Sequence, residues 1–261
     1  MASIRIAIHG AAGRMGQRLV ALTAADPELS LVAAIDSPQH PRLGDDAGTI
    51  AGLRPLGVPL TADFDAPVDV IVDFSVPVAA EALLRRAAQR RIALVLATTG
   101  LSLTQLLQDV ATHIPLLWAP SMSLAVNLTM KLAETAARAL KGHDADVEIL
   151  ERHHRFKEDA PSGTALKFGQ IIAAAMGQDT HRHGREGRPG PRPHGEIGYH
   201  AIRAGDNPGE HTIVFGMLGE TIELTVRASN RDCYAAGALA AAKFLVGKPI
   251  GLYGMNDVLG L

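Results

Sequence analysis

A single cysteine, Cys233, stands in the 261 residues, so no disulfide can form within the chain and a reducing compartment, the cytoplasm, is the expected home. Aromatic residues make up only 4% and the formal net charge is -2, leaving neither the stacking platforms nor the basic stripe that a nucleic-acid surface needs. No apolar run approaches the roughly 20 residues that cross a bilayer, and the opening MASIRIAIHG has no apolar signal region or small-residue cleavage site. Neither a nucleic acid nor a membrane is therefore expected as a partner. What the chain does have is 47% apolar residues, enough for a sizeable core, and at this length two lobes are expected rather than one.

The first half alternates two periods. SIRIAIHG, LVAAID, VDVIVDFS, IALVLATTG and PLLWAPS are short, near-continuous apolar runs. Between and after them GRMGQRLVALTAAD, PVAAEALLRRAAQRR, SLTQLLQDVATHI and LAVNLTMKLAETAARALKG carry helical spacing, with Pro77 early in its helix and Ser102 as an N-cap. Apolar strands alternating with helices mean a parallel sheet covered on both faces, a doubly wound, Rossmann-like α/β domain. Beyond it a helix in ALKFGQIIAAAMG precedes strands near GEIGYHAIRAG, HTIVFGML and TIELTVRAS, the last two separated by Gly219-Glu220 as in an antiparallel hairpin. The second lobe is thus expected to be α+β with a mixed, largely antiparallel sheet. From Asn230 helical spacing returns through AAGALAAAKFLVG. The segment 181–195, carrying Arg182, Arg185, Arg188 and Arg192 among glycines and prolines, is expected to be a mobile, solvated loop of the second lobe, or an arginine-rich lid over an anion.

Gly10, Gly13 and Gly16 follow the first strand in GAAGRMG and open a helix, and Asp36 ends the second strand. Glycines let the backbone approach a pyrophosphate, the helix N-terminus favours its charge, and an acid about 20 residues on can hold a ribose diol. Ala11 stands where the strict G-x-G-x-x-G pattern has glycine, so the motif alone is only moderately specific. Its context sharpens it. Strand, turn, helix, strand and acid come in order, and the strand ends DFS, ATTG and APSMS fall at the carboxyl edge where such sheets bind ligands.

The stretch EILERHHRFKEDAPSGTA, 148–165, sets two histidines, a lysine and several acids beside a Ser-Gly-Thr step. Such clusters are most often solvated faces. Adjacent His153 and His154 on a strand would point to opposite faces, and no H-E-x-x-H or cysteine set accompanies them, so no metal site is expected. APSGT lacks the first glycine of a nucleophile elbow, which argues against Ser162 as a hydrolase nucleophile. Glu148 and Glu151 are expected to sit on a strand and hold local donors or face solvent.

Together the two stretches resemble one family, the 4-hydroxy-tetrahydrodipicolinate reductases, or dihydrodipicolinate reductases, of bacterial lysine and diaminopimelate synthesis. The likeness covers nearly the whole chain. It rests on the run E-x-x-E-x-H-H-x-x-K-x-D-x-P-S-G-T-A from Glu148 to Ala165, with GAAGRMG, ATTG, RAGDNPGEH and GLYGMNDVL in support. The resemblance implies an NAD(P)H-dependent oxidoreductase acting on a cyclic unsaturated dicarboxylate, and a homotetramer. With the renewed helical pattern near the end, it implies a dinucleotide-binding domain over 1–124 and 231–261 and a substrate-binding and tetramerisation domain over 125–230.

By the same matching His153 donates or accepts a proton, Lys157 donates one, and His154, Ser162, Gly163 and Thr164 contact substrate. The dinucleotide is expected along Gly10, Ala11, Ala12, Gly13, Arg14 and Met15, at Asp36, beside Ala97, Thr98 and Thr99, and near Ala119, Pro120, Ser121 and Met122. Phe156 stands where the family commonly has histidine, Ser121 where asparagine is usual, and Ala125 where glycine is frequent. The residue chemistry suits the assignment. A dicarboxylate that gains a hydride needs positive charge, donors and a proton source, and a helix opening at Ser162-Gly163-Thr164 beside Lys157 and His154 supplies them. Another amino-acid-pathway dehydrogenase, or a dinucleotide-sensing protein without turnover, would share the first lobe but not this run.

Asp36 is followed by Ser37 and Pro38 rather than by an arginine. A carboxylate there accepts both ribose hydroxyls of NADH and repels the 2′-phosphate of NADPH. NADH is expected to be favoured and NADPH also accepted, with Arg14 or Arg42 as the cations available to the phosphate.

Overall fold

The computed structural model describes residues 2–101 and 104–261, so the N-cap expected at Ser102 lies outside the described residues. By internal contact the chain forms two compact units, Met1–Leu124 with Arg231–Leu261, and Ala125–Asn230.

In chain order the first unit contributes β1 (Ile4–His9), α1 (Arg14–Ala25), β2 (Leu29–Ile35), α2 (Ala47–Ile50), β3 (Leu60–Thr61), β4 (Val70–Asp73), α3 (Pro77–Arg90), β5 (Ala93–Leu96), α4 (Thr104–Ala111) and β6 (Pro115–Trp118). The second supplies α5 (Leu124–Leu140), β7 (Asp146–His153), α6 (Gly163–Met176), β8 (Thr180–His183), β9 (Glu196–Arg203), β10 (Glu210–Met217) and β11 (Glu220–Arg227). The chain then returns to the first with α7 (Asp232–Leu245), β12 (Gly251–Tyr253) and α8 (Met255–Leu259).

The first unit is a seven-stranded sheet in the order β12-β6-β5-β4-β1-β2-β3, parallel at every pairing. Alternate side chains of its strands feed two apolar cores. Ile6, Ile8, Val70, Val72 and Val95 pack with α1 and α7 on one face, and Ala7, Ile71, Leu94, Leu96 and Leu116 with α3 and α4 on the other. Because both faces are covered, β4 and β5 are buried along their whole length, which is why their sequences read as unbroken apolar runs. Pro77 occupies the first turn of α3, where its missing N–H costs no bond.

The second unit is a five-stranded mixed sheet, order β11-β10-β7-β9-β8, antiparallel on the β10 side of β7 and parallel on the β9 side. Here only one face is fully covered, so β7 and β10 alternate buried and half-buried residues. Val147, Ile149, Ile213 and Phe215 pack under Phe168 and Ile172 of α6 and Ala133 and Ala137 of α5.

Two local expectations differ from the structure. The hairpin turn is Leu218-Gly219, since Glu220 already pairs with Met217 as the first residue of β11. The segment 181–195 is neither a free loop nor a free lid. Its start forms edge strand β8, parallel to β9, and two of its four arginines are held by carboxylates of the sheet: Arg185 reaches Glu148 at 2.7 Å and Glu196 at 2.5 Å, and Arg192 reaches Asp146 at 2.6 Å and Glu148 at 2.9 Å. Burial pushes the Glu148 carboxyl up, but the bonds from Arg185, Arg192 and His200 outweigh it and hold it at about 2.

Candidate active site

In the first unit β1 ends in a turn too tight for side chains. Gly10 has φ +80°, and a Cβ there would lie 2.6 Å from the Phe74 carbonyl oxygen; one on Gly16 would lie 2.0 Å from the Gly10 carbonyl oxygen. The start of α1 is thereby pressed against the strand. Ala11, at the strict motif's first glycine, is buried and donates its N–H to the Ile35 carbonyl at 3.0 Å. Asp36 closes over the turn, one oxygen accepting the Ala12 N–H at 2.9 Å and the other the Ser37 N–H at 2.8 Å. The N–H groups of Arg14 and Met15 belong to the first turn of α1, which has no intrahelical acceptors for them, so they are available to an anion.

This turn borders a pocket of about 680 Å³ lined on one side by Gly10, Gly13 and Asp36 and on the other by Phe64, Val78 and Leu83. The size suits a nucleoside. Two cations bear on it differently from the expected pair. Arg42 is turned to Asp45 at 2.9 Å, whereas Arg86 lines the pocket, pairing with Asp63 and standing 5.7 Å over the Phe64 ring. Arg14 is exposed at the first position of α1.

At the strand ends the wholly buried carboxylate of Asp73 gathers three groups: His9 Nδ1 at 2.6 Å, the Ser75 hydroxyl at 2.6 Å and the Thr98 hydroxyl at 2.5 Å. The Thr98 hydroxyl is therefore committed within the protein, while Thr99 is exposed. Ala97, Ala119 and Met122 are buried, so their side chains serve the core; of the APSM step Pro120 is exposed, while Ser121 is half-buried with its hydroxyl oxygen turned inward. His9 and Asp73 were not singled out by sequence; the apolar run ending in DFS was the available signal.

In the second unit His153 is the last residue of β7 and shares the buried face with Ile149 and Glu151. Its Nδ1 lies 2.6 Å from Oε2 of Glu151, whose side chain is fully buried. Arg203, the register partner of His153 on β9, donates to both Glu151 oxygens at 2.7 Å, and the Ser162 N–H donates to Oε1 at 3.0 Å. Burial alone would raise the Glu151 carboxyl; the His153, Arg203 and Ser162 bonds prevail and hold it at about 2. His211, opposite Glu151 on β10, is buried with its ring 5.3 Å from that of His153 and 5.9 Å from that of Phe168. Burial pushes it down to about 4, with the neighbouring His153 adding to the effect, so it is neutral at pH 7.

Past the strand, Lys157 Nζ meets Asp159 Oδ1 at 2.8 Å, and Arg203 donates to the Asp159 carbonyl at 2.6 Å, so Lys157 and His153 are connected through one chain of bonds by way of Arg203. His154 is half-buried with Nδ1 lacking a partner, 6.2 Å from the exposed ring of Phe156. Ser162 is buried and its hydroxyl accepts the Ala165 N–H at 3.3 Å as the N-cap of α6, while the N–H groups of Gly163 and Thr164 belong to the first turn, which has no intrahelical acceptors for them. Glu148 lies on the opposite face of β7 and takes no part. Among the described residues no group of three or more His, Cys, Asp or Glu is placed to hold a metal ion. Glu151, Arg203 and His211 are the residues that sequence did not assign to the site.

The family descriptions dihydrodipicolinate reductase, N-terminus, and dihydrodipicolinate reductase, C-terminus, match residues 4–122 and 125–259. The chain is 57% identical over 270 residues to a 4-hydroxy-tetrahydrodipicolinate reductase of Rhodopirellula baltica, covering 99% of this chain and 96% of that protein. It is 49% identical over 265 residues to one of Alkalilimnicola ehrlichii, covering 98% and 99%. Its fold is similar, with a TM-score of 0.79 and 26% identity over 98% of this chain and 99% of the other, to a dipicolinate-bound dihydrodipicolinate reductase of Paenisporosarcina sp. TG-14.

Proposed function

The chain belongs to the dihydrodipicolinate reductase family, and from that premise we propose that it reduces 4-hydroxy-tetrahydrodipicolinate to tetrahydrodipicolinate with NAD(P)H, in diaminopimelate and lysine synthesis. The observation that carries the reading beyond the family is the grouping of His153, Lys157 and the open first turn of α6 on one bonded framework. Going from the hydroxy compound to the product consumes a hydride and a proton and releases water. A reduced nicotinamide supplies the hydride when bound.

The first unit fits a dinucleotide: the Gly10 turn admits no Cβ, the open N–H groups of α1 suit a pyrophosphate, and Asp36 is fixed where a ribose diol can donate to it. In the second unit the N–H groups of Gly163 and Thr164 and the dipole of α6 receive a carboxylate of the substrate, with His154 as a further donor. His153 or Lys157 delivers the proton. Lys157 rests on Asp159, and substrate draws its ammonium away from that carboxylate. NADH is favoured, because Asp36 repels a 2′-phosphate and Arg42 is engaged by Asp45; Arg14 and Arg86 allow NADPH as well.

We also infer a homotetramer joined through the outer face of the second sheet, where Leu150, Val214 and Ile202 point away from α5 and α6. Among the described residues no helix is long and apolar enough to cross a membrane. We assign it to the cytoplasm, where a lone thiol such as Cys233 stays reduced. The test is a steady-state assay with substrate generated in situ by the preceding synthase. Substrate-dependent loss of reduced-nicotinamide absorbance is expected, and its absence in folded protein would overturn the reading.

A further inference from the structure

We propose that Glu151 is a positioning residue of this reaction: clamped by Arg203 and the Ser162 N–H, its carboxylate holds the Nδ1–H of His153 and so makes Nε2 the atom that exchanges the proton. The inference rests on the proton role proposed for His153.

It follows from counting donors. Oε2 of Glu151 faces His153 Nδ1 at 2.6 Å and Arg203 Nη1 at 2.7 Å, while Oε1 faces Arg203 Nη2 at 2.7 Å and the Ser162 N–H at 3.0 Å. The guanidinium and the amide only donate, and an ionised carboxylate only accepts. The hydrogen between Glu151 and His153 therefore belongs to Nδ1. A neutral His153 is then the Nδ1–H tautomer with a lone pair on Nε2, and a charged one carries its transferable proton there. The fork from Arg203 fixes the plane of the carboxylate, and the full burial of Glu151 keeps water from competing for it.

Among the described residues no other group bonded to His153 Nδ1 sets this tautomer. His211 meets the ring by its edge, its own Nδ1 without a partner, and Lys157 is bonded to Asp159. The alternative is that Glu151 merely ties β7 to β9 and to the start of α6. That would cost stability when lost but leave the proton step alone.

The two are separated with the full-length enzyme and the variants Glu151→Gln, Glu151→Asp, His153→Ala and the Glu151→Gln/His153→Ala double. For Glu151→Gln the expected result is a fall in kcat of roughly 10²-fold, the low end of what a positioned acid contributes, with NADH affinity by fluorescence titration within about twofold of wild type, because the glycine turn belongs to the other unit. Glu151→Asp, which keeps the anion, should recover part of the loss. The double variant should be no slower than His153→Ala. Nitrogen-15 NMR of the wild type should show His153 protonated at Nδ1, a signal absent from His153→Ala. Should Glu151→Gln fold poorly, the wild-type spectrum still decides, since a neutral His153 protonated at Nε2 overturns the inference. So does wild-type turnover in Glu151→Gln beside an impaired His153→Ala, or losses in the double variant that multiply. Full turnover in His153→Ala would instead remove the proton reading itself, and the inference with it.

Discussion

At the scale of single residues, the proposed binding and proton-transfer residues fall in different units, so variants should separate binding from chemistry. Lys157→Ala and His153→Ala should each lower kcat by about 10²- to 10⁴-fold, the usual worth of a positioned acid, while NADH affinity holds, because neither residue belongs to the unit that carries the glycine turn. His154→Ala should act mainly on KM for substrate. The proposed cofactor preference is tested at the end of β2: Ser37→Arg adds a guanidinium beside the Asp36 carboxylate and should move the ratio of kcat/KM toward NADPH, read from parallel assays with the two nicotinamides. A wild-type preference for NADPH of about tenfold, or about 1.4 kcal/mol, would mean that Arg14 or Arg86 outweighs Asp36. The sequence made His153, Lys157 and Asp36 legible because each sits in a spaced local run. Glu151 was visible but not its task, since its partner Arg203 comes 52 residues later and a burial of this kind is decided by strand pairing. Nor does sequence say that Ser162 spends its hydroxyl on a cap.

At the scale of elements, packing constrains the turn and helix that open each candidate site. Gly16→Ala would push a methyl against the Gly10 carbonyl, backbone that cannot swing aside, and should cost about 1–3 kcal/mol in thermal unfolding along with NADH affinity. Ser162→Ala removes the α6 cap and should cost about 1 kcal/mol, measured by denaturant titration. The parallel strands of the first unit were readable because burial on both faces leaves unbroken apolar runs, and β7 and β10 because one open face leaves alternation. Strand β8 was not. Its residues are exposed and polar, and two of the carboxylates that anchor Arg185 and Arg192 behind it, Glu148 and Asp146, lie 37 and 46 residues earlier in the chain. Composition there suggested a solvated loop, whereas long-range ion pairing decides the outcome.

At the scale of the whole molecule, stability should fall with acid in two overlapping stages. His211 holds about 4 when folded against 6.5 when free, so the unfolded chain takes up its proton first and stability drains as pH falls from 6.5 to about 4. Glu148 and Glu151 hold about 2 against 4.5, and what they contribute, full above pH 4.5, is lost as pH falls toward 2. Each stage is on the order of a few kcal/mol, and thermal melts of His211→Gln against pH should lack the upper one. Light scattering should report a tetramer at working concentration, and a stable monomer would remove the assembly through the outer sheet face. The chain leaves the first unit after Leu124 and re-enters it at Arg231, where α7 fills one core and β12 pairs with β6. A ribosome therefore delivers the parts out of order. The second unit is complete in the nascent chain once Asn230 has emerged, while the first, begun earliest, still shows an open β6 edge and an uncovered apolar face. The half that starts first finishes last, and during that interval it is the half a chaperone would meet.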